Sequence, residues 1–158
     1  MILWRYPARA ARVLNWTLVS WILALGVGCA SSFVSIKEVT LPLAVVRKIV
    51  MENIPGGTSS ESMNGREIVG EYFDPKNLDQ PADDQKERAR ATVTILGSRR
   101  PYQLQVSAVL ERRRKGSKTK YDAVGDDRAL AKKVRDRIKT ALANRPADLN
   151  VIDDFRAF

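Results

Sequence analysis

The sequence contains no histidine, and its 158 residues include a single cysteine, Cys29. The lack of histidine excludes the imidazole that most often serves as a proton shuttle or a zinc ligand in proteins. One cysteine cannot form a disulfide within the chain, so packing must stabilise the fold. All three tryptophans lie within the first 21 residues. The remainder of the chain therefore contains no tryptophan.

Catalytic motifs are also scarce. Gly56-Gly57 and Gly65 lack the spacing of a phosphate-binding loop or a nucleophile elbow. Paired carboxylates occur at Asp83-Asp84, Asp126-Asp127 and Asp153-Asp154. Adjacent side chains point in different directions, so such pairs do not converge on one substrate, and Asp126 or Asp127 is placed to cap a helix. We therefore predict a protein that is not an enzyme and that binds neither a metal nor a cofactor.

Charge is missing altogether from Val13 to Ile36, a run that follows Arg5, Arg9 and Arg12. At about 1.5 Å of rise per residue, a helix of this length reaches roughly 36 Å, enough to cross a bilayer core of about 30 Å. A buried core helix is the alternative, but small domains seldom contain a helix that is apolar all round. Arginines before the run keep the N-terminus in the cytoplasm and direct the rest of the chain across the membrane.

The apolar run includes the residues Leu25-Gly26-Val27-Gly28-Cys29. They resemble the lipobox of bacterial lipoproteins, in which a small residue precedes an obligatory cysteine. The resemblance implies that residues 1–28 are a signal peptide removed before Cys29. It also implies that a diacylglyceryl group is attached to the Cys29 sulfur and that the new amino terminus is acylated. Only the leader is covered by this resemblance.

Two alternatives to this processing remain, because Gly26 stands where the family prefers leucine. Cleavage after Ala30 would discard the cysteine and release an exported protein without an anchor. Retention of the apolar run would leave an inner-membrane protein with one uncleaved helix and a periplasmic interaction domain. If the lipobox is used, Ala30 replaces the aspartate that commonly retains lipoproteins in the inner membrane. The resemblance then implies an outer-membrane lipoprotein that faces the periplasm.

After Cys29 the sequence predicts a tether, one domain and a tail, with boundaries at residues 29–39, 40–146 and 147–158. The first helix is expected from Leu41 to about Ile54, with Thr40 as its cap. The next segments are expected to be a loop (58–65), a strand or short helix (66–73) and a mobile connection (74–86).

The clearest strand pattern runs from Tyr102 to Arg113, where apolar and polar residues alternate. Residues 91–96 are expected to pair with it, and a third strand is expected at about 119–124. A helix from Asp127 to Asn144 presents an apolar side that can cover these strands. These elements predict an α+β class and a small two-layer domain, in which helices cover an antiparallel β-meander.

Basic residues are concentrated between the second and third of these strands, where six cations occur within nine residues. They are Arg112, Arg113, Arg114, Lys115, Lys118 and Lys120. One interpretation is a solvated turn without a specific role. The other is an anion-binding edge that contacts lipid phosphates, lipopolysaccharide or an acidic envelope protein. Nucleic acid is not expected as a partner, because only Tyr102 and Tyr121 offer aromatic rings near the charge and the chain is exported.

Together these features predict a membrane-anchored lipoprotein of the bacterial envelope. The acylated Cys29 contacts membrane lipid, and the domain acts as a scaffold or accessory subunit of an envelope assembly.

Overall fold

The computed structural model describes residues 32–82 and 84–144. This part of the chain forms seven strands and two helices. The strands are β1 (Val34–Val39), β2 (Thr58–Glu61), β3 (Glu67–Asp74), β4 (Asn77–Pro81), β5 (Glu87–Leu96), β6 (Tyr102–Arg113) and β7 (Tyr121–Asp126); the helices are α1 (Leu43–Asn53) and α2 (Arg128–Ala143). The predicted α+β class is confirmed.

The seven strands form one antiparallel sheet in the order β1-β6-β5-β3-β2, with β4 beside β3 and β7 beside β6. β5 pairs with β6 along its whole length without a register shift. Because β5 fills one edge of β6, β1 and β7 share the other. β1 pairs with the half of β6 that begins at Tyr102, and β7 pairs with the half that ends at Arg113.

The predicted antiparallel run of three strands is confirmed as β5, β6 and β7. β6 has the predicted bounds, β5 begins four residues before the expected Ala91, and β7 is displaced by two residues from the expected segment. The apolar residues of β6 face the core, as its alternation predicts. Four of them are buried and Leu110 packs against the core. The buried four are Tyr102, Leu104, Val106 and Ala108.

Three segments between the longer elements were predicted incorrectly. The tether prediction is wrong over residues 34–39, which form β1 with Val34 and Ile36 buried. The expected loop 58–65 contains β2, and the expected mobile connection 74–86 contains β4. β2 and β4 are polar and mostly exposed, so their sequences show no hydrophobic periodicity. They are strands because they pair with β3. Residues 66–73, for which strand and helix were both open, lie mainly in strand β3.

Both helices begin close to their predicted positions. The predicted Thr40 cap is wrong, because α1 begins after Pro42, which makes no side-chain capping hydrogen bond. Proline is tolerated here because a residue before the first turn has no intrahelical N–H hydrogen bond to lose. α2 begins after Asp127, whose carboxylate accepts a hydrogen bond from the Leu130 N–H at 2.9 Å. This capping prediction is confirmed.

The core lies between one face of the sheet and the two helices. α1 contacts α2 and β3, while α2 contacts β6 and β1. Five large side chains are almost completely enclosed, namely Ile68, Phe73, Ile95, Leu104 and Ile138. Gly70 permits the close approach of α1, because a Cβ there would lie 3.1 Å from Ile54 Cγ1. No polar or charged side chain is buried among the described residues.

The predicted signal peptide (1–28), Cys29 and the predicted tail (147–158) lie outside the described residues. Among those that are described, neither helix has the length and apolar character needed to span a bilayer.

Candidate anion-binding site

A short turn brings the six predicted cations together between β6 and β7. The Arg114 N–H donates to the Lys120 carbonyl at 2.9 Å, which closes the ends of the turn. The Ser117 hydroxyl accepts hydrogen bonds from the backbone N–H groups of Thr119 and Lys120. We call these six residues the β6–β7 cluster: Arg112, Arg113, Arg114, Lys115, Lys118 and Lys120.

The three arginines of the cluster all have partners. Arg112 Nε donates to Glu87 Oε1 at 2.9 Å, and Arg114 Nε donates to Asp122 Oδ2 at 3.0 Å. Arg113 Nη2 donates to the Tyr121 hydroxyl at 2.9 Å. The hydrogen bond from Arg114 lowers the pKa of Asp122, and the same bond raises the pKa of Arg114. Much of the arginine charge is therefore already neutralised inside the domain.

The three lysines of the cluster differ from its arginines. Lys115, Lys118 and Lys120 are exposed, and their ammonium groups form no ion pair with any residue in the described ranges. A lysine is a strongly hydrated point charge on a flexible stem, so it can contact an anion without first leaving a fixed partner. Within the cluster, the lysines are the cations available to an external ligand.

Beside the cluster lies an open cleft of about 880 Å³. The turn between β3 and β4 forms one wall, and residues 84–87 with 112–117 form the others. Its cations are Lys76, Lys86, Arg112, Arg113, Arg114 and Lys115, and its carboxylates are Asp74, Asp84 and Glu87. The described lining therefore carries twice as many positive as negative charges, which suits an anionic ligand. We call this the basic cleft.

Sequence reasoning missed Lys76 and Lys86 as members of this site. Both come from the segment 74–86, which was expected to be a mobile connection. Lys76 reaches the cleft because β4 pairs back on β3 and places the turn after Asp74 beside the end of β6. Lys86 reaches it because its carbonyl accepts a hydrogen bond from the Arg113 N–H at 2.8 Å. No periodicity in the sequence reports this pairing.

A second set of side chains lies on the open face of the sheet, opposite the helices. The Arg88 guanidinium carbon is 3.6 Å from the ring centre of Tyr72 and 3.8 Å from that of Tyr121. Arg88 Nε also donates to Glu111 Oε2 at 2.8 Å, and the Tyr72 hydroxyl donates to Glu111 Oε1 at 3.3 Å. This stack is held by cation–π contact and by a charge-assisted hydrogen bond.

The stack bears on whether the tyrosines could bind nucleic acid bases. Tyr102, one of the two rings considered from the sequence, is buried in the core. Tyr72 and Tyr121 each have a second guanidinium group nearby, from Arg90 at 5.0 Å and from Arg113 at 5.4 Å. A base needs a free ring face on which to stack, and these rings are occupied by arginine. That no nucleic acid is bound stays a prediction.

A metal or catalytic site in the described ranges would need acidic, cysteine or histidine side chains that converge. No group of three or more acidic, cysteine or histidine side chains there could hold a metal ion. Of the carboxylate pairs considered from the sequence, Asp127 serves as the cap of α2 and Asp84 contacts Arg113 at 3.5 Å. The expectation of a protein that is not an enzyme stays a prediction.

Comparison of the chain with protein-family models, with curated proteins and with solved structures gave no match. Any functional assignment must therefore rest on the chemistry of the chain, namely its N-terminal sequence, its basic cleft and its charged surfaces.

Proposed function

We propose that this protein is a bacterial envelope lipoprotein, anchored through an acylated Cys29, whose domain is a non-enzymatic scaffold or accessory subunit of an envelope assembly. The observation that carries the proposal is the only cysteine of the chain, which lies within the charge-free run that follows three arginines. In this order, a basic segment, an apolar segment and small residues are typical of an export signal.

The described fold fits a domain that works close to a membrane. Only Ala30 to Phe33 separate Cys29 from β1. An extended chain spans at most about 3.6 Å per residue, so Val34 would lie within about 18 Å of the lipidated residue. In the proposed mature protein, the sheet therefore follows the anchor almost directly, without the longer tether expected from the sequence.

The proposed mature chain begins at Cys29 and contains an α+β domain with helices on one face of its sheet. Removal of residues 1–28 leaves 24 basic and 18 acidic residues, so the mature chain is positively charged. Two or three acyl chains hold a protein stably on a membrane, whereas one holds it only marginally. With Ala30 after the cysteine, the proposed location is the outer membrane, facing the periplasm.

The proposed partner of the domain is an acidic component of the envelope, which contacts the basic cleft. The lipid phosphates, lipopolysaccharide and acidic proteins considered from the sequence share the negative charge that this cleft would bind. Lys76 and Lys86 extend the cluster of cations beyond the turn, so the cleft is larger than the sequence segment alone. Clustered cations next to an anionic surface contribute up to about 1 kcal/mol each.

The anchor is tested by growing cells with labelled palmitate and weighing the purified product. We expect a labelled protein that lacks the first 28 residues and that accumulates as a precursor when the lipoprotein signal peptidase is inhibited. Cys29→Ser should abolish both the label and the cleavage. In the matched control, Cys29→Ser is combined with Ser32→Cys, which retains a thiol but displaces it from the lipobox. We expect no label on this control.

The same experiment separates the alternatives. An unlabelled product that begins at Ser31 would mean ordinary secretion. An unlabelled product that retains Met1 and resists extraction from membranes at high pH would mean an uncleaved helix. Either result would overturn the lipoprotein proposal.

The role of the basic cleft is tested by crosslinking in intact cells, followed by purification of the protein from membranes. We expect Lys76→Ser with Lys86→Ser to weaken capture of the partner several-fold without changing the palmitate label. Lys48→Ser with Lys133→Ser removes the same charge from exposed helical positions and is the matched control. Equal capture by the two double variants would contradict a role for the cleft.

A further inference from the structure

A second basic surface lies on α2, away from the β6–β7 cluster. Arg128, Lys132, Arg135 and Lys139 are separated by four, three and four residues. This spacing places them along one side of a helix. The core side of the same helix carries a different set, namely Leu130, Ala131, Val134 and Ile138. The four cations therefore form a continuous row on the surface.

The edge strand β1 extends this row. Lys37 lines an open notch of about 320 Å³ together with Arg135 and Lys139, and Ser35 and Ile36 complete its wall. The notch shows that the row lies on the side of α2 that meets β1. We call the five cations, Lys37, Arg128, Lys132, Arg135 and Lys139, the α2–β1 surface.

The charge of this surface is largely uncompensated. Arg135 donates to Asp136 Oδ1 at 3.0 Å. The other four cations form no ion pair with any residue of the two described ranges. The nearest acids along the chain are Glu38, which follows Lys37, and Asp127, whose carboxylate is engaged by the Leu130 N–H. The β6–β7 cluster differs, because carboxylates contact all three of its arginines.

The α2–β1 surface is also the basic surface closer to the point where the chain arrives from Cys29. Val34 pairs with Val106 in the first half of β6. Arg113, a member of the β6–β7 cluster, lies seven residues further along the strand, which is about 24 Å at about 3.4 Å per residue. α2 contacts β1 directly. An acylated Cys29 would therefore hold the α2–β1 surface nearer to the lipid than the β6–β7 cluster.

We infer that the α2–β1 surface binds the phosphate headgroups of anionic phospholipids in the membrane that holds the acylated Cys29. This inference depends on the proposed lipid anchor. Clustered lysine and arginine side chains gain free energy beside an anionic leaflet, and the gain is screened by salt. Contact of the α2–β1 surface with lipid fixes the orientation of the domain. It also leaves the basic cleft, at the other end of β6, open to a partner that is not the anchoring bilayer.

The orientation is tested with the acylated mature protein, which begins at Cys29, reconstituted in vesicles of phosphatidylcholine with or without phosphatidylglycerol. The rate of lysine labelling by a water-soluble amine reagent is measured at each residue by mass spectrometry. With phosphatidylglycerol at low salt, we expect labelling of Lys37, Lys132 and Lys139 to slow by about fivefold. High salt should remove this protection. Labelling of Lys115 and Lys118 should not change.

Paired variants show whether the protection is local. Lys37→Ser with Lys132→Ser should weaken the protection of Lys139, because neighbouring cations hold the same patch of anionic lipid. Lys115→Ser with Lys118→Ser removes the same net charge and should leave the protection of Lys139 unchanged. Equal effects of the two pairs would overturn the inference.

Failure of the inference can be distinguished from failure of the anchor. If the palmitate-labelled protein is in the vesicles but Lys37, Lys132 and Lys139 react at the same rate on both lipids, the α2–β1 surface does not face lipid and the anchor stands. If Lys115 and Lys118 are protected instead, the β6–β7 cluster faces the membrane and the inference is wrong. If the chain carries no acyl group, the inference falls together with the anchor.

Discussion

Strands β5 and β6 present two faces that are built from opposite chemistry. On the face toward the helices, β5 contributes four apolar residues, Ala89, Ala91, Val93 and Ile95, which are all almost completely buried. On the other face it contributes Arg88 and Arg90, and β6 contributes Glu111. One pair of strands thus supplies both a core without buried polar side chains and a polar stack. Alternation of side chains along each strand keeps the two apart.

The two faces are stabilised in different ways. The covered face depends on removing apolar area from water, which is worth about 25 cal/mol per Å² and needs no particular geometry. The open face depends on the stack of Tyr72, Arg88 and Tyr121, which works only if a planar guanidinium lies between two rings. We therefore expect substitutions on the covered face to lower the free energy of unfolding more. In the stack, the loss should depend more on the chemical group of the new side chain than on its size.

The largest effect is expected from Phe73→Ala on the covered face. Phe73 is completely buried, and its loss leaves a cavity among the core residues. The free energy of unfolding should fall by about 3–5 kcal/mol. Urea unfolding followed by circular dichroism measures this, since no tryptophan lies in the domain to report by fluorescence. Thr92→Ala on the open face is the control and should cost less than about 0.5 kcal/mol. Equal losses would remove the distinction between the faces.

Arg88→Met tests the stack on the open face. Methionine retains an unbranched stem but removes the guanidinium that contacts two rings and Glu111. The expected loss of unfolding free energy is about 1–3 kcal/mol.

Arg88→Lys is the more specific test, because lysine keeps the positive charge but lacks the planar guanidinium that stacks between the rings. A loss close to that of Arg88→Met is expected. A double-mutant cycle with Glu111→Gln should show coupling between the two sites. Full stability of Arg88→Lys would mean that charge alone matters there.

Asp127→Ala tests how firmly α2 covers the sheet. It removes the acceptor for the Leu130 N–H at the start of the helix. Loss of such a cap costs about 1 kcal/mol. Asp126→Ala is the matched control, because Asp126 is exposed and precedes the cap. A similar loss from both variants would show that general negative charge, and not the cap, is responsible.

The smallest effect is expected at the turn between β6 and β7, where Arg114 contacts Asp122. The hydrogen bond from Arg114 lowers the pKa of this carboxyl below its ordinary value of 3.8. Because this pKa is lowered, the Arg114–Asp122 pair stabilises the turn at pH values above the ordinary pKa. The contribution is lost as the pH falls through the lowered pKa. NMR titration of the Asp122 carboxyl should show the lowered midpoint, and Arg114→Gln should restore it. Salt should weaken the shift, because both groups are exposed.

Several parts of the fold were predictable because their signals are local. β6 alternates over its full length, and α2 has both an apolar side and an acidic cap, so neither needs knowledge of the rest of the chain. β2 and β4 gave no such signal. Their residues are polar and exposed, and only pairing with β3 makes them strands. β1 was missed because its first three residues belong to the charge-free run 13–36, which hides its short alternation.

The candidate site was predictable in the same limited way. The six cations of the β6–β7 cluster are adjacent in sequence, so a turn between strands had to bring them together. The division into arginines that carboxylates contact and lysines without an ion pair in the described part of the chain was not predictable. It depends on Glu87, which lies 25 residues before its partner Arg112, and on Asp84. The stack around Arg88 was missed for the same reason, because Tyr72 and Tyr121 are far apart in the chain.

Residue order alone was enough to specify the class of the domain, its central strands, the cap of its last helix and the position of its lone cysteine. These properties depend on periodicity and on neighbouring residues, which the order of the chain specifies directly. Which cations are neutralised, and which face outward together, became clear only in the folded domain. That outcome depends on strand register and on the side of α2 that meets β1, because electrostatic pairing requires proximity in space and not in sequence.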